Sequence, residues 1–341
     1  MKMKRMGLAA LAMLACAHLQ ARADAVEDFY KGKTVRVVVG VAPGSGYDLN
    51  ARAVAKYMGK YLPGHPTFIV QNQPGSGSIS MTNTLCNAGP FDGTVIGASF
   101  GGIPTATLFT PSVARFDPLK INWLGTTNQE THVGYVWHTA PVQSFDEVFK
   151  TRLLVGAQAP GVTQYDFPTL SNAVLGTRFK VVSGYESTPA VHAAMERGEV
   201  QGVGASGWVT LKLLNSDWLK NGTVKPIIQW GLKKNPDLPD VPLALDYAKT
   251  PEDRDALKLM FVRLTIGRPF FMPPNTPPDR VAAMRKAFDA VMKDKDFIAE
   301  EAKLKLDVIP LDGDEVLGIL KEAYKTSPAV VERLRKILNT R

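Results

Sequence analysis

The β-branched run Val35-Arg36-Val37-Val38-Val39-Gly40-Val41 predicts a strand, and it leads straight into Ala42-Pro43-Gly44-Ser45-Gly46-Tyr47-Asp48, a glycine turn opening a helix. Asn50, Val54, Tyr57, Met58 and Tyr61 fall near the spacing of one helical face. Thr67-Phe68-Ile69-Val70 reads as the next strand, followed by a second glycine-rich turn, Gln71-Asn72-Gln73-Pro74-Gly75-Ser76-Gly77-Ser78, a helix over 79–87 and the strand Thr94-Val95-Ile96-Gly97-Ala98. Strand, helix, strand, helix, strand implies right-handed crossovers and a parallel sheet, with the turns gathered at the carboxyl ends of the strands.

The pattern restarts beyond residue 150. Leu153-Leu154-Val155-Gly156-Ala157 is a strand, and Gln158-Ala159-Pro160-Gly161-Val162-Thr163-Gln164-Tyr165 is a polar turn before a helix. Phe179-Lys180-Val181-Val182-Ser183 follows as a strand, then a helix with Thr188 as its cap, Pro189 at its first position and Gly198 as its left-handed terminator, and a closing strand over 200–205. Pro236, Pro239 and Pro242 mark residues 232–242 as a crossing segment. Further on, Thr276 caps a long helix with Pro277 first, and Val281, Met284, Phe288 and Val291 form its apolar face. The expected architecture is α/β with two lobes, 24–125 plus 233–341 and 126–232, each a mostly parallel sheet flanked by helices. Such a chain forms a hinged cleft in which a small anion is closed between opposed loops.

Gly44 and Gly46 let the first turn bend tightly and aim amide N–H groups outward, and the following helix adds the positive end of its dipole, so a carboxylate or phosphate can dock there. Nucleotide binding is excluded by pattern. A dinucleotide fingerprint needs glycine where Leu49 stands, and no lysine followed by Ser or Thr completes a phosphate loop. The bland alternative is an ordinary strand-to-helix turn.

A catalytic alternative comes from Gly97-Ala98-Ser99-Phe100-Gly101, which fits a nucleophile elbow and would make the chain a secreted serine hydrolase using Ser99. Against it, Gly101-Gly102-Ile103-Pro104 is a poor helix start, and His192, the last histidine, lies inside the capped helix. The expectation is that Ser99 lines the cleft at a strand end and that the protein is not an enzyme. His132 and His138 are six residues apart with no third ligand nearby, so no metal and no cofactor are expected.

Met1-Lys2-Met3-Lys4-Arg5, an apolar stretch over 6–17 and Ala21-Arg22-Ala23 form a cleavable export signal over 1–23, with Asp24 as the first mature residue. Cys16 follows Met13-Leu14-Ala15, a poor match to a lipoprotein signal. Cleavage leaves 318 of 341 residues, enough for about two domains, with Cys86 the remaining cysteine and no internal disulfide. Losing Lys2, Lys4, Arg5 and Arg22 takes the net charge from +8 to +4, a mild bias that suits small anions rather than nucleic acid.

Four segments together carry a resemblance: residues 42–48, residues 71–77, Tyr185-Glu186-Ser187-Thr188-Pro189-Ala190 and Pro239-Asp240-Val241-Pro242. In order and spacing they resemble the Bug-type periplasmic receptors of tripartite tricarboxylate transporters. The resemblance implies a type II-like Venus-flytrap fold, capture of a small carboxylated molecule, transient delivery to separate integral-membrane subunits, and action as a monomer in the periplasm. It also implies that the ligand carboxylate is held by the first turn, Pro43, Gly44, Ser45, Gly46, Tyr47 and Asp48, and by the matching turn, Pro160, Gly161, Val162, Thr163 and Gln164. Gly77, Ser78, Ser99 and Tyr185 complete the candidate ligand-binding set. The chain departs from the family at both turns: Ser45-Gly46-Tyr47 replaces the usual Gly-Gly-Thr, and the Gly-Thr-x-x-His run of the second lobe lacks its histidine. The expectation is a retained carboxylate site with a changed ligand.

Overall fold

Valines and isoleucines on period-two positions form two sheets in the computed structural model, which describes residues 25–338 apart from the side chains of Leu213 and Leu214. The export signal over 1–23, Cys16 and the cleavage point at Asp24 lie outside the described residues. In chain order the elements that matter are β1 (Thr34–Val39), α1 (Gly46–Tyr61), β2 (Thr67–Asn72), α2 (Ile79–Ala88), β3 (Val95–Ala98), β4 (Asn122–Thr126), β5 (His132–Trp137) and β6 (Leu153–Ala157). There follow α3 (Thr163–Leu175), β7 (Phe179–Ser183), α4 (Thr188–Glu196), β8 (Gly202–Gly207), β9 (Val224–Trp230), α5 (Pro251–Thr265), β10 (Pro269–Met272), α6 (Pro278–Val291), α7 (Lys295–Lys303), β11 (Leu311–Asp312) and α8 (Pro328–Leu338).

The first unit is built on the strand order β11-β4-β10-β3-β1-β2. β1 lies parallel between β2 and β3, while β10 runs antiparallel to both β3 and β4. Val35, Val37 and Val39 point into a core with Val54 and Met58 of α1 and Met284, Phe288 and Val291 of α6, all buried. The helical face expected over 281–291 is therefore the one that packs. Its start differs from the expectation: Pro277 is the cap and Pro278 the first helical residue, because the Thr276 hydroxyl donates instead to the Pro273 carbonyl (2.9 Å).

The second unit has the order β7-β6-β8-β5-β9, with β6 parallel to β7 and β8, and β5 antiparallel to β8 and β9. Both sheets are thus mixed: a parallel triplet extended by antiparallel strands. The cap of α4 is Ser187, whose hydroxyl accepts from the Ala190 N–H (3.3 Å), with the expected Thr188 one position inside; Gly198 closes it at φ +75°.

The described residues divide into units of 25–100, 116–127 and 268–317 and of 101–115, 128–267 and 318–338. This departs from the expected lobes at three places, each with a contact that explains it. Residues 232–242 do not leave the second unit, because the buried Gln229 amide donates to the carbonyls of Leu238 (2.9 Å) and Val241 (2.6 Å). The ring of Phe261 on α5 packs against Phe167 (centroids 5.4 Å apart). Arg333 on α8 bonds Asp253 (2.8 Å) and the Ala173 carbonyl (3.1 Å), and Arg335 reaches the Leu108 carbonyl (2.7 Å).

Two buried titratable groups are structural. Burial pushes the Cys86 thiol up to about 12, which leaves it an unreactive apolar filler. In the second unit burial holds the His192 imidazole down at about 4, and its Nε2 lies 2.6 Å from the Tyr135 hydroxyl. Because the folded value lies below the unfolded one, the unfolded chain takes up the proton first as pH falls. Stability is expected to drop between pH 6.5 and about pH 4 and then level off. Thermal melts of His192→Gln, neutral throughout and able to accept from Tyr135, should lack that drop; an unchanged profile would assign it elsewhere.

Candidate functional site

In the first unit, β1 is the central strand of the parallel triplet, and Val39 pairs with Asn72 on one side and Ala98 on the other. The turns after β1, β2 and β3 consequently emerge side by side at one sheet edge. Gly44 sits at φ +83°, a conformation that costs an L-residue with a Cβ about 1–2 kcal/mol. Its N–H donates to Asp48 Oδ2 (2.8 Å), Ser45 Oγ accepts from the Asp48 N–H (3.3 Å), and α1 begins at Gly46.

Asp48 is only 1% exposed and also accepts from Asn72 Nδ2 (2.7 Å) and Arg52 Nε (3.0 Å). Burial by itself would raise its carboxyl, but the hydrogen bonds from Arg52, Gly44 and Asn72 outweigh it and hold the group below the usual carboxylate range. The expected amide cradle is therefore partly filled by the protein's own carboxylate. What the turn still directs outward is the start of α1, whose first amides have no intrahelical acceptor. Pro43 and Gly44 are exposed there, with Ser45, Gly46 and Tyr47 half-buried.

Tyr47 stands edge-on to Phe100 (centroids 4.5 Å apart), and the Arg268 guanidinium lies 5.4 Å from the Tyr47 ring centroid. A Cβ on Gly46 would sit 3.8 Å from Arg268 Nη2, so the guanidinium is beside the helix start. Arg268 is absent from the sequence-derived candidates. It precedes β10, and because β10 runs antiparallel to β3, with Phe270 opposite Ala98, it arrives at the edge where the turns emerge.

Of the other first-unit candidates, Ser78 and Ser99 face inward, whereas Gly77 is exposed. Ser78 is fully buried: its hydroxyl donates to the Gly40 carbonyl (3.0 Å) and accepts from the Phe100 N–H (3.2 Å), bracing the three turns against one another. Gly77 has φ +60° in the same turn. Ser99 is 2% exposed, its N–H bonds the Pro269 carbonyl (3.1 Å), and its hydroxyl lies 3.4 Å from the Phe100 carbonyl oxygen. No helix follows Ser99 directly, only a 3-10 turn at Ile103–Thr105. The side-chain hydrogen bonds of His65, His132 and His192 go to Gly59, to Glu130 and Thr163, and to Tyr135. Ser99 thus lacks the helix that follows a nucleophile elbow, and none of these three histidines bonds to it. Gly97, which suggested the motif, is small because a Cβ there would lie 2.3 Å from the Phe271 ring.

The second unit repeats the device. β6 is central in its triplet, and Gly161 in the turn that follows has φ +95°. The Gly161 N–H donates to Asp166 Oδ1 (2.9 Å), and Asp166, 5% exposed, pairs with Arg263 (3.2 Å), which also reaches the Gly161 carbonyl (3.2 Å). A left-handed glycine, an aspartate in the next helical turn and an arginine on that aspartate occur in both units. Here burial dominates and raises the Asp166 carboxyl, with Arg263 opposing it.

Pro160 and Gly161 are exposed, and Val162 and Thr163 half-buried at the start of α3. Gln164 is 4% exposed, and its Nε2 donates to Thr188 Oγ1 (2.9 Å) at the start of α4. Tyr185 packs against the core of this unit. A histidine from elsewhere in the chain stands beside this turn: His132 Nδ1 lies 3.0 Å from Thr163 Oγ1, and its Nε2 lies 3.2 Å from Glu130 Oε2. His132 opens β5 opposite Gly207, the last residue of β8, and so reaches the same edge from an antiparallel strand. Among the described residues, no three His, Cys, Asp or Glu side chains converge as a cation site, and no helix is long and apolar enough to cross a membrane.

The fold is that of two-lobed periplasmic binding proteins. The structure is similar to that of a TctC solute-binding protein from Polaromonas (16% identity, 89% of this chain and 99% of that one, TM-score 0.70) and of the periplasmic binding protein BugD (20%, 90% and 98%, TM-score 0.60). It is also similar to MatC from Rhodopseudomonas palustris, determined with bound malate (20%, 90% and 99%, TM-score 0.57). No family model and no curated protein sequence matches the chain.

Proposed function

We propose that this chain is a Bug-type receptor, exported to the periplasm, that binds a small carboxylate as a monomer, leaves it chemically unchanged and passes it to separate integral-membrane subunits. The observation that carries the reading is the duplicated turn: in each unit a left-handed glycine is locked by an internal aspartate, so that the start of the next helix is presented at the carboxyl edge of a parallel triplet. Arg268 adds a positive charge beside the first turn. The malate bound to the similar MatC structure supports the ligand class.

A helix N-terminus contributes about 0.3–1 kcal/mol to an anion and each hydrogen bond to a charged group roughly 1.5–3 kcal/mol, so a few such contacts approach the roughly −8 kcal/mol of micromolar binding. The test is a thermal-shift screen of the mature chain against mono-, di- and aromatic carboxylates. A true ligand at about a hundredfold excess over Kd adds about 2.7 kcal/mol and should raise the melting temperature by roughly 5–10 °C, with the ligand recovered intact. Absence of a shift with every carboxylate, or turnover of the bound compound, refutes the proposal.

A further inference from the structure

We infer that the amino edge of the second sheet holds an anion site of its own, built by Arg152, Arg178 and Lys180, for a ligand that carries two or more phosphoryl groups. The strand register brings these cations together. β6 and β7 run parallel with Leu153 opposite Phe179, and the Leu153 N–H donates to the Arg178 carbonyl (3.2 Å). Arg152 and Arg178, each one residue before its strand, are therefore neighbours at about the 4.8 Å spacing of adjacent strands. Alternation along β7 turns the buried Phe179 to the core and sets Lys180 on the side of Arg178, where both are exposed. Arg178 Nη1 donates to the Lys150 carbonyl (3.1 Å), which brings a fourth cation to the same rim. Arg152, Arg178, Phe179 and Lys180 line a pocket of about 530 Å³. The Gly161 turn leaves β6 at the opposite end, so occupancy of this pocket is separate from that of the turn.

The charges are uncompensated. Among the described residues none of Lys150, Arg152, Arg178 and Lys180 makes an ion pair. The acids nearest along the chain are engaged elsewhere: Glu147 accepts from the Gln143 N–H (2.6 Å), Asp146 from the Tyr247 hydroxyl and Glu199 from Arg197 (2.6 Å). Like charges side by side on adjacent strands destabilise a sheet, and an anion between them relieves that cost. A carboxylate brings one charge and two coplanar oxygens, which satisfy one guanidinium fork. A phosphoryl group brings up to two charges and three oxygens that point apart, so two linked groups engage both forks and leave a charge for Lys180.

The test is isothermal titration of the mature chain, without magnesium, against pyrophosphate, tripolyphosphate and citrate, with co-sedimentation on phosphatidylglycerol vesicles as a separate arm. Pyrophosphate or tripolyphosphate should bind about tenfold or more tightly than citrate, an anion of similar charge without phosphorus. Arg152→Gln combined with Arg178→Gln should weaken that binding about tenfold or more, and because both side chains are exposed it should leave the melting temperature of the unliganded protein almost unchanged. Lys31→Gln combined with Lys321→Gln removes the same charge from elsewhere and should leave the binding intact. Sedimentation of the parent, but not of the double arginine variant, with the vesicles while free polyphosphates fail to bind would assign the phosphate to lipid headgroups; binding of the free polyphosphates alone assigns it to a soluble compound. Binding of neither, citrate as tight as the polyphosphates, or equal loss in the lysine pair overturns the inference and leaves the receptor reading standing.

Discussion

Asp48→Ala is expected to lower the melting temperature by roughly 5–15 °C, the equivalent of about 2–4 kcal/mol, and to abolish carboxylate binding. Asp48 accepts from the Gly44 N–H, Asn72 and Arg52 at once, and at 1% exposure no water replaces it. Removing it orphans the amide that keeps Gly44 left-handed and frees the turn to relax away from the start of α1. Asp48→Asn retains one acceptor oxygen and should lose about half as much. The pH dependence gives a second check. Asp48 has a folded value below its unfolded one, so its contribution is complete above the unfolded value and disappears as pH falls through the folded one. Melts of parent and Asp48→Ala should therefore converge in strong acid; a constant gap would place the loss in packing.

Arg263→Met carries the second large effect. It leaves the Asp166 carboxylate buried with only the Gly161 N–H as partner and removes the bond that Arg263 makes to the Gly161 carbonyl. Breaking a buried pair from one side costs about 3–5 kcal/mol, and because Arg263 is itself 29% exposed the expectation here is about 2–3 kcal/mol. The sign in acid is opposite to that of Asp48. The Asp166 carboxyl is already raised in the fold, and losing the guanidinium raises it further, so protonation relieves the penalty. The variant should recover toward the parent as pH falls through the raised value. Arg263→Met combined with Asp166→Leu should be more stable than Arg263→Met alone, since no uncompensated charge remains; equal loss would show that the arginine acts through packing.

Together these expectations describe how the candidate site is made. In each unit the anion-binding potential of a glycine turn is first spent on an internal aspartate, which fixes the turn, and the amides that follow it are left for other use. The arginine on each aspartate has a different origin. Arg52 is four residues from Asp48 on the same helix, whereas Arg263 comes from α5, 97 residues beyond Asp166. The first pairing is visible in the sequence as an i, i+4 spacing, and the second is not.

Much of the fold is legible in the chain because it is local. Strands β1, β2, β3, β6, β7 and β8 follow from β-branched runs, both glycine turns from their spacing, and the buried face of α6 from Val281, Met284, Phe288 and Val291. The unit boundaries are not legible, because the assignment of α5 and α8 depends on Phe261 meeting Phe167 and Arg333 meeting Asp253, contacts with no local signature. Ser78 and Ser99 illustrate the same limit within the site: a hydroxyl at a strand end looks available until tertiary packing gives it an internal partner or buries it.

The sequence by itself determined the alternation of strand and helix, and with it the parallel triplets whose carboxyl ends collect the turns, since periodicity and glycine placement act over a few residues. Only the tertiary structure decided which charged and titratable groups reach those turns. Arg268 and His132 each stand at the start of an antiparallel strand, and pairing with β3 or β8 places them at the edge from which the turns emerge. Strand pairing is a long-range choice made by the whole sheet, so no spacing along the chain records that Arg268 ends beside Gly46 or that His132 ends beside Thr163.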